Sequence, residues 1–355
     1  MAWLPVGGQG RLAGRGGAAI MPPLGAHWME AEGVAQDIAV AVLDDYQGVT
    51  ERFADWGPVK ARARLVVFRD HVAAADALAA RLQPFQVVCV MRERTPLPRA
   101  IIERLPNLKM IITTGAHNRS IDMGAARERG IHVCSAGPGS SGQMVEFTWG
   151  MILALARHIP FEDRAMRSGG WQTTIGTALF GKTLGVIGLG KIGAGVAKVG
   201  TAFGMKVIAW SSNLTPARAA ECGATRVEKD ALLAQSDVVT LHLVLSARSR
   251  GTIGARELGL MKPSATLVNT SRGPLIEEAA LIDALRQDRI AGAALDVYDR
   301  EPLPADHPLR ALENTVLTPH LGYVSAETYS RYFPEMAEDV LAWLDGKPIR
   351  LVEDH

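Results

Sequence analysis

Short apolar runs alternate with amphipathic stretches along most of the chain. The first, Ile38-Ala39-Val40-Ala41-Val42-Leu43, ends in Asp44-Asp45 and reads as a buried parallel strand. Strand-like runs recur at Arg64–Phe68, Gln86–Met91, Met110–Thr113 and Ile131–Cys134, with helical patterns such as Ala73–Leu82 and Pro98–Leu105 between them. A long apolar helix is expected from Met144 to about Ile159. A second series of strands follows at Thr183–Ile187, Met205–Trp210, Val238–His242, Thr266–Asn269, Gly292–Asp296 and Thr315–Thr318, and Glu277–Asp288 is one of its helices. Such alternation predicts an α/β protein with parallel, doubly wound sheets. Ala326–Leu344 reads as a last helix that returns to the first domain, with Pro334 as a break or a new first turn.

Composition narrows the function more than the fold. The chain has 355 residues, enough for two domains, and a formal charge of +1, so no global field favours nucleic acid or an anionic membrane. The longest apolar run, Gly150–Ala156, is too short to span a bilayer. Cys89, Cys134 and Cys222 are scattered without metal spacing, which fits reduced thiols in a cytoplasmic protein and no bound metal. Residues 1–36 are glycine-rich and carry no signal-peptide layout; they read as a disordered extension, or as sequence ahead of a true start at Met21 or Met29.

The strand at Thr183 runs into Gly188-Leu189-Gly190-Lys191-Ile192-Gly193, a Gly-x-Gly-x-x-Gly turn opening a helix. Gly188 allows the sharp turn, Gly190 lets a pyrophosphate approach the backbone, and Gly193 lets the helix pack against the strand. The helix N-terminus then faces the phosphates. Two other glycine patterns lack this context. Gly137–Gly142 has no second strand at the right distance and reads as a hinge loop. Gly176–Thr183 imitates a phosphate loop, but its strand comes after the Gly-Lys-Thr rather than before it.

Three ionisable residues fall at the C-terminal ends of the late strands, where open parallel sheets bind ligands: Arg272, Glu301 and His320. Hydride exchange between a nicotinamide and a 2-keto or 2-hydroxy acid needs such a set. Arginine grips a carboxylate bidentately, histidine exchanges a proton near neutrality, and a carboxylate beside the histidine orients it and favours its protonated form. His242 has no such company and reads as structural.

The fingerprint, Ser271-Arg272-Gly273, Asp296-x-x-x-x-Glu301-Pro302 and Pro319-His320 occur in an order that resembles the D-isomer-specific 2-hydroxyacid dehydrogenases, over Asp37 to Pro348. The resemblance implies a Rossmann-type dinucleotide-binding domain (140–321) inserted in a flavodoxin-like α/β substrate domain (37–139 and 322–355). It implies a substrate cleft between the two and a homodimer built on the inserted domains. It also assigns roles. His320 would be the acid/base, Glu301 its partner, and Arg272 the carboxylate anchor. Cofactor contacts would come from Gly188 to Gly193 (including Leu189, Lys191 and Ile192), Ser211, Ser212, Thr270 and Asp296, the last on the nicotinamide carboxamide or ribose. Gly115, Ala116 and His117 would join Arg272 at the substrate.

Two departures from the family pattern bear on specificity. The substrate loop carries His117 in place of a glycine, with Arg119, Arg92 and Arg94 around it, which fits a bulkier or more anionic acid. Trp210-Ser211-Ser212-Asn213 offers no acid for the ribose hydroxyls, which fits use of both NAD and NADP. The expected function is an NAD(P)-dependent 2-keto acid reductase with a small-molecule substrate. Glyoxylate/hydroxypyruvate reductase and phosphoglycerate branches, and a nicotinamide-sensing corepressor-like protein, stand as alternatives.

Overall fold

A computed structural model describes residues 38–115, 118–137 and 141–352. The expected extension at residues 1–36 lies outside them. The chain divides into two compact units. One comprises the chain up to Gly137 together with the segment from Ser330; the other is Pro138–Tyr329.

The first unit is built on a five-stranded parallel sheet. Its strands are β1 (Ala39–Val42), β2 (Arg64–Val67), β3 (Val87–Val90), β4 (Met110–Thr114) and β5 (His132–Ala136), in the order β2-β1-β3-β4-β5. This is the flavodoxin-like order, with its topological switch point between β1 and β3. Period-2 alternation gives the sheet two buried faces. Ala39, Ala41, Val88, Val90, Ile111 and Val133 pack on one side with Leu78, Leu82, Ile101 and Ala125. On the last helix, Tyr332, Phe333, Met336 and Val340 are all buried, and Phe333 stacks on Phe53 with ring centroids 6.4 Å apart. That helix, Ala326–Leu344, runs on through Pro334 without a break. Burial of the apolar residues on both sides of the proline outweighs the backbone hydrogen bond it forfeits. Beyond it, Leu351 pairs antiparallel with Cys134, and the Val352 N–H donates to the Val133 carbonyl at 2.8 Å.

The second unit holds a seven-stranded parallel sheet: β6 (Thr183–Ile187), β7 (Lys206–Trp210), β8 (Thr225–Arg226), β9 (Val238–Leu241), β10 (Thr266–Asn269), β11 (Gly292–Leu295) and β12 (Thr315–Leu317). The order β12-β11-β10-β9-β6-β7-β8 is that of a dinucleotide-binding sheet with one further strand, its switch point between β6 and β9. Ile187, Ile208, Val239, Leu267 and Ala293 feed one core, and Leu184, Val186, Val207, Val268 and Ala294 feed the other, against Trp149, Ile152 and Val196. Edge strand β8 was not legible in the sequence, because two residues carry no periodicity.

The long apolar helix starts and ends three residues earlier than expected. It spans Ser141–Ala156, His158 takes a left-handed conformation (φ 51°), and a second helix runs Ile159–Arg167. Pro160 explains the interruption: it is barred from a helix interior but fits a first turn, where its missing N–H costs nothing.

Candidate active site

The fingerprint turn follows β6 at the switch point. Gly188 adopts φ +98°, and a side chain there would meet the His242 carbonyl at 2.7 Å. A β-carbon on Gly193 would lie 2.0 Å from the Gly188 carbonyl oxygen, so only glycine lets the helix Lys191–Ala202 start this close to the strand. Gly190 is different: a β-carbon there meets nothing within 4 Å. Exposed, and at the N-cap of a twelve-residue helix with no side chain to cap it, Gly190 leaves open space where an anionic group can reach backbone N–H groups. Leu189 is buried; Lys191 and Ile192 form the first helical turn. The glycine cradle fits a dinucleotide. No helix opens at the Gly176–Thr183 decoy; Thr183 begins β6.

At the end of β7, Ser211 is half-buried and Ser212 exposed, and the Ser211 carbonyl accepts from the Leu214 N–H. Thr270 is buried behind β10, with its hydroxyl 2.8 Å from that of Thr148. Thr148 already donates to the Met144 carbonyl, so the proton between the two hydroxyls belongs to Thr270.

Arg272, Glu301 and His320 come from the turns after β10, β11 and β12. Arg272 is half-buried, with Nη1 2.7 Å from the Ser271 carbonyl. Glu301 Oε2 meets His320 Nδ1 at 2.7 Å, and Glu301 Oε1 accepts from the Tyr298 N–H at 2.9 Å. Burial pushes the Glu301 carboxyl up, but the hydrogen bond and charge of His320, the Tyr298 N–H and the charge of Arg272 outweigh it and hold the group below its usual range. Tyr298 was not singled out in the sequence, where it looks like any core aromatic. Its hydroxyl donates to the Leu295 and Thr318 carbonyls, and Gly273 packs against its carbonyl so closely that a β-carbon would sit 2.2 Å from the oxygen.

His320 has a left-handed backbone (φ 55°), an uncommon conformation for a residue with a side chain. Asp296 holds it there. The Asp296 carbonyl accepts the His320 N–H at 2.8 Å, and its carboxylate accepts from the Thr318 hydroxyl, the Leu321 N–H and the Gly322 N–H at 2.7, 2.7 and 2.9 Å. Burial pushes the Asp296 carboxyl up, further than these donors and His320 draw it down. The nicotinamide carboxamide or ribose contact expected of Asp296 thus falls on a carboxylate with no exposed surface that clamps the turn bearing His320. His242, just past β9, lies 3.0 Å from the Thr240 hydroxyl, and burial pushes it down to about 4.

In the first unit, Gly115 follows β4 with φ +80°. Its N–H extends the β4–β5 ladder by donating to the Ala136 carbonyl at 3.0 Å. Ala116 and His117 lie outside the described residues. Arg92 occupies the space beside Gly115, where a β-carbon would overlap its Nη1 at 1.6 Å. Arg94 is buried, donates to the Asp44 carbonyl at 3.0 Å and stacks over the Tyr46 ring. Arg119 is exposed.

Comparison with known proteins bears on this arrangement. The family model for the D-isomer specific 2-hydroxyacid dehydrogenase NAD binding domain matches residues 149–322. The chain is 38% identical over 263 residues to a D-3-phosphoglycerate dehydrogenase of Archaeoglobus fulgidus, covering 74% of this chain and 50% of that one. It is 38% identical over 256 residues to a glyoxylate reductase of Aeropyrum pernix, covering 70% and 76%. The structure of a phosphoglycerate oxidoreductase from Vibrio cholerae superposes with a TM-score of 0.82 at 37% identity, covering 87% of this chain and 99% of that one. The chain spans about half the length of the phosphoglycerate dehydrogenases it matches.

Proposed function

Starting from its membership of the D-isomer-specific 2-hydroxyacid dehydrogenase family, we propose that the chain reduces a 2-keto acid to the D-2-hydroxy acid with NADH or NADPH. The observation that carries the reading is the 2.7 Å contact between Glu301 and His320, with Arg272 close enough for its charge to reach Glu301. The bound nicotinamide supplies the hydride to the carbonyl carbon. His320 keeps the Nδ1 proton on Glu301 and gives the Nε2 proton to the forming hydroxyl. Arg272 grips the substrate carboxylate and polarises the carbonyl. Asp296 positions His320 through the turn it clamps. Gly188 to Gly193 seat the pyrophosphate, with Thr270 behind the cofactor; Ser211 and Ser212 meet the ribose without repelling a 2′-phosphate. Gly115, Ala116 and His117 form the substrate loop. Arg92, folded over Gly115, supports an acid with a second anionic group.

A homodimer is part of this reading. No residue of the helix Ile159–Arg167 is buried, Ile159 and Met166 expose more than half their surface, and Trp171, Ile175 and Phe180 follow at 75, 94 and 82% exposure. So many large apolar side chains facing solvent mark an interface. Light scattering on wild type and Ile175→Asp tests it: a dimer that the aspartate breaks is expected. A cytoplasmic location accords with three unpaired thiols. No helix among the described residues is long and apolar enough to cross a membrane.

The deciding experiment follows NADH and NADPH absorbance across glyoxylate, hydroxypyruvate, and branched, aromatic, dicarboxylic and phosphorylated 2-keto acids. Turnover with any of them supports the reductase. Cofactor binding without turnover on the whole panel would favour a nicotinamide sensor.

A further inference from the structure

Glu301 lies on a segment without regular structure between β11 and the short 3-10 turn Pro308–Ala311. One carboxylate outside that segment touches it at two places. Glu278, in the first turn of the helix Glu278–Arg286, has Oε1 2.9 Å from His307 Nε2 and Oε2 3.5 Å from the Asp299 N–H. His307 Nδ1 accepts from the Leu309 N–H at 3.3 Å. A backbone N–H can only donate, so Nδ1 carries no proton and Nε2 must donate to Glu278. Glu278 therefore closes the segment 299–307, within which Glu301 stands. Asp299 is the residue after Tyr298, whose N–H holds Glu301 Oε1. The Asp299 carboxyl also faces this group: burial and then the charge of Glu278 push it up, against Arg250.

We propose that the Glu278–His307 pair is a positioning device for proton transfer, fixing the segment that aims Glu301 at His320. Neither residue is a catalytic group; both act through Glu301. This rests on the reading of Glu301 and His320 as the proton-transfer pair. The sequence hides it, because Glu278 reads as an ordinary first-turn acid and His307 sits in a proline-rich stretch without periodicity.

The test follows the His320 Nδ1–H proton by NMR, with the signal assigned by its loss in His320→Gln. Turnover is measured on whichever keto acid the wild type reduces. The full chain is compared with Glu278→Ala, Glu278→Gln and His307→Gln. Glu278→Ala is expected to move the Nδ1–H signal upfield, because a displaced Glu301 no longer holds that proton in a short hydrogen bond. Its kcat should drop about tenfold, the scale of losing a supporting partner, with KM for the reduced cofactor unchanged. Glu278→Gln keeps an acceptor for His307 and should restore most of the kcat. His307→Gln should move the signal and lower kcat as Glu278→Ala does, and it decides the matter if the alanine variant does not fold. An unmoved Nδ1–H signal in the variants overturns the proposal, whatever happens to kcat. A wild type that turns over nothing removes the reductase reading and leaves the Nδ1–H signal to decide this one.

Discussion

Glu301 Oε2 and His320 Nδ1 meet at 2.7 Å across 19 residues of sequence, each on the turn that follows a strand. The contact orients the ring with its Nδ1–H donating to the carboxylate, which leaves Nε2 for the proton transfer proposed above. A charge-assisted hydrogen bond of this kind contributes roughly 1.5–3 kcal/mol.

His320→Ala is accordingly expected to lower kcat by on the order of 100-fold or more while the cofactor still binds. Stopped-flow turnover and cofactor titration check it together. A variant that keeps wild-type kcat would remove His320 from the acid/base role.

The glycines of the fingerprint separate stability from binding. Gly193→Ala forces a β-carbon to 2.0 Å from the Gly188 oxygen and should cost about 1–3 kcal/mol in urea unfolding. Gly190→Ala enters open space at φ −77° and should leave stability within about 0.5 kcal/mol, yet weaken cofactor binding at least tenfold by standing where the pyrophosphate sits. Unweakened binding in Gly190→Ala would move the pyrophosphate elsewhere.

Ser211→Asp puts a carboxylate after β7, on the turn assigned to the ribose. Repulsion of a 2′-phosphate should shift the preference toward NAD. The ratio of kcat/KM for NADPH and NADH reads it, and an unchanged ratio means that this turn does not face the ribose.

Asp339 gives a pH dependence of stability. Its side chain is fully buried, with Oδ1 2.9 Å from Arg350 Nε. Burial pushes the carboxyl from 3.8 to about 7, against the opposing charge of Arg350. The folded state binds this proton more tightly than the unfolded chain does, so the associated stability is present below pH 3.8 and lost as pH rises through about 7. Asp339→Asn, neutral at every pH and still able to accept from Arg350, should melt higher than wild type at pH 8. The advantage should shrink on going down to pH 5. A difference that does not change with pH would show that Asp339 does not titrate there.

Both series of strands were legible because parallel strands buried on two faces leave continuous apolar runs, as in Val87–Val90 and Val238–Leu241. The position of Arg272, Glu301 and His320 at the strand ends was legible because they fall just past such runs. What escaped the sequence depends on three-dimensional closure. The Gly115 N–H is consumed by one more rung of the β4–β5 ladder, and no local pattern announces where a ladder stops. Asp296 points inward, although the spacing alone places it at the ligand edge. The interruption at His158 turns on Pro160, whose reach back into the helix is a matter of a residue or two. Pro334, read as a break or a new first turn, shows the reverse: packing kept the helix whole.

The first unit is assembled from two stretches of chain with all of Pro138–Tyr329 between them. Synthesis therefore releases its five strands long before the helix carrying Phe333, Met336 and Val340. During that interval the residues this helix will bury have no cover. The inserted unit is continuous and can complete itself as it emerges. The sheet made first must finish last, and it depends until then on whatever keeps a half-built protein from sticking to its neighbours.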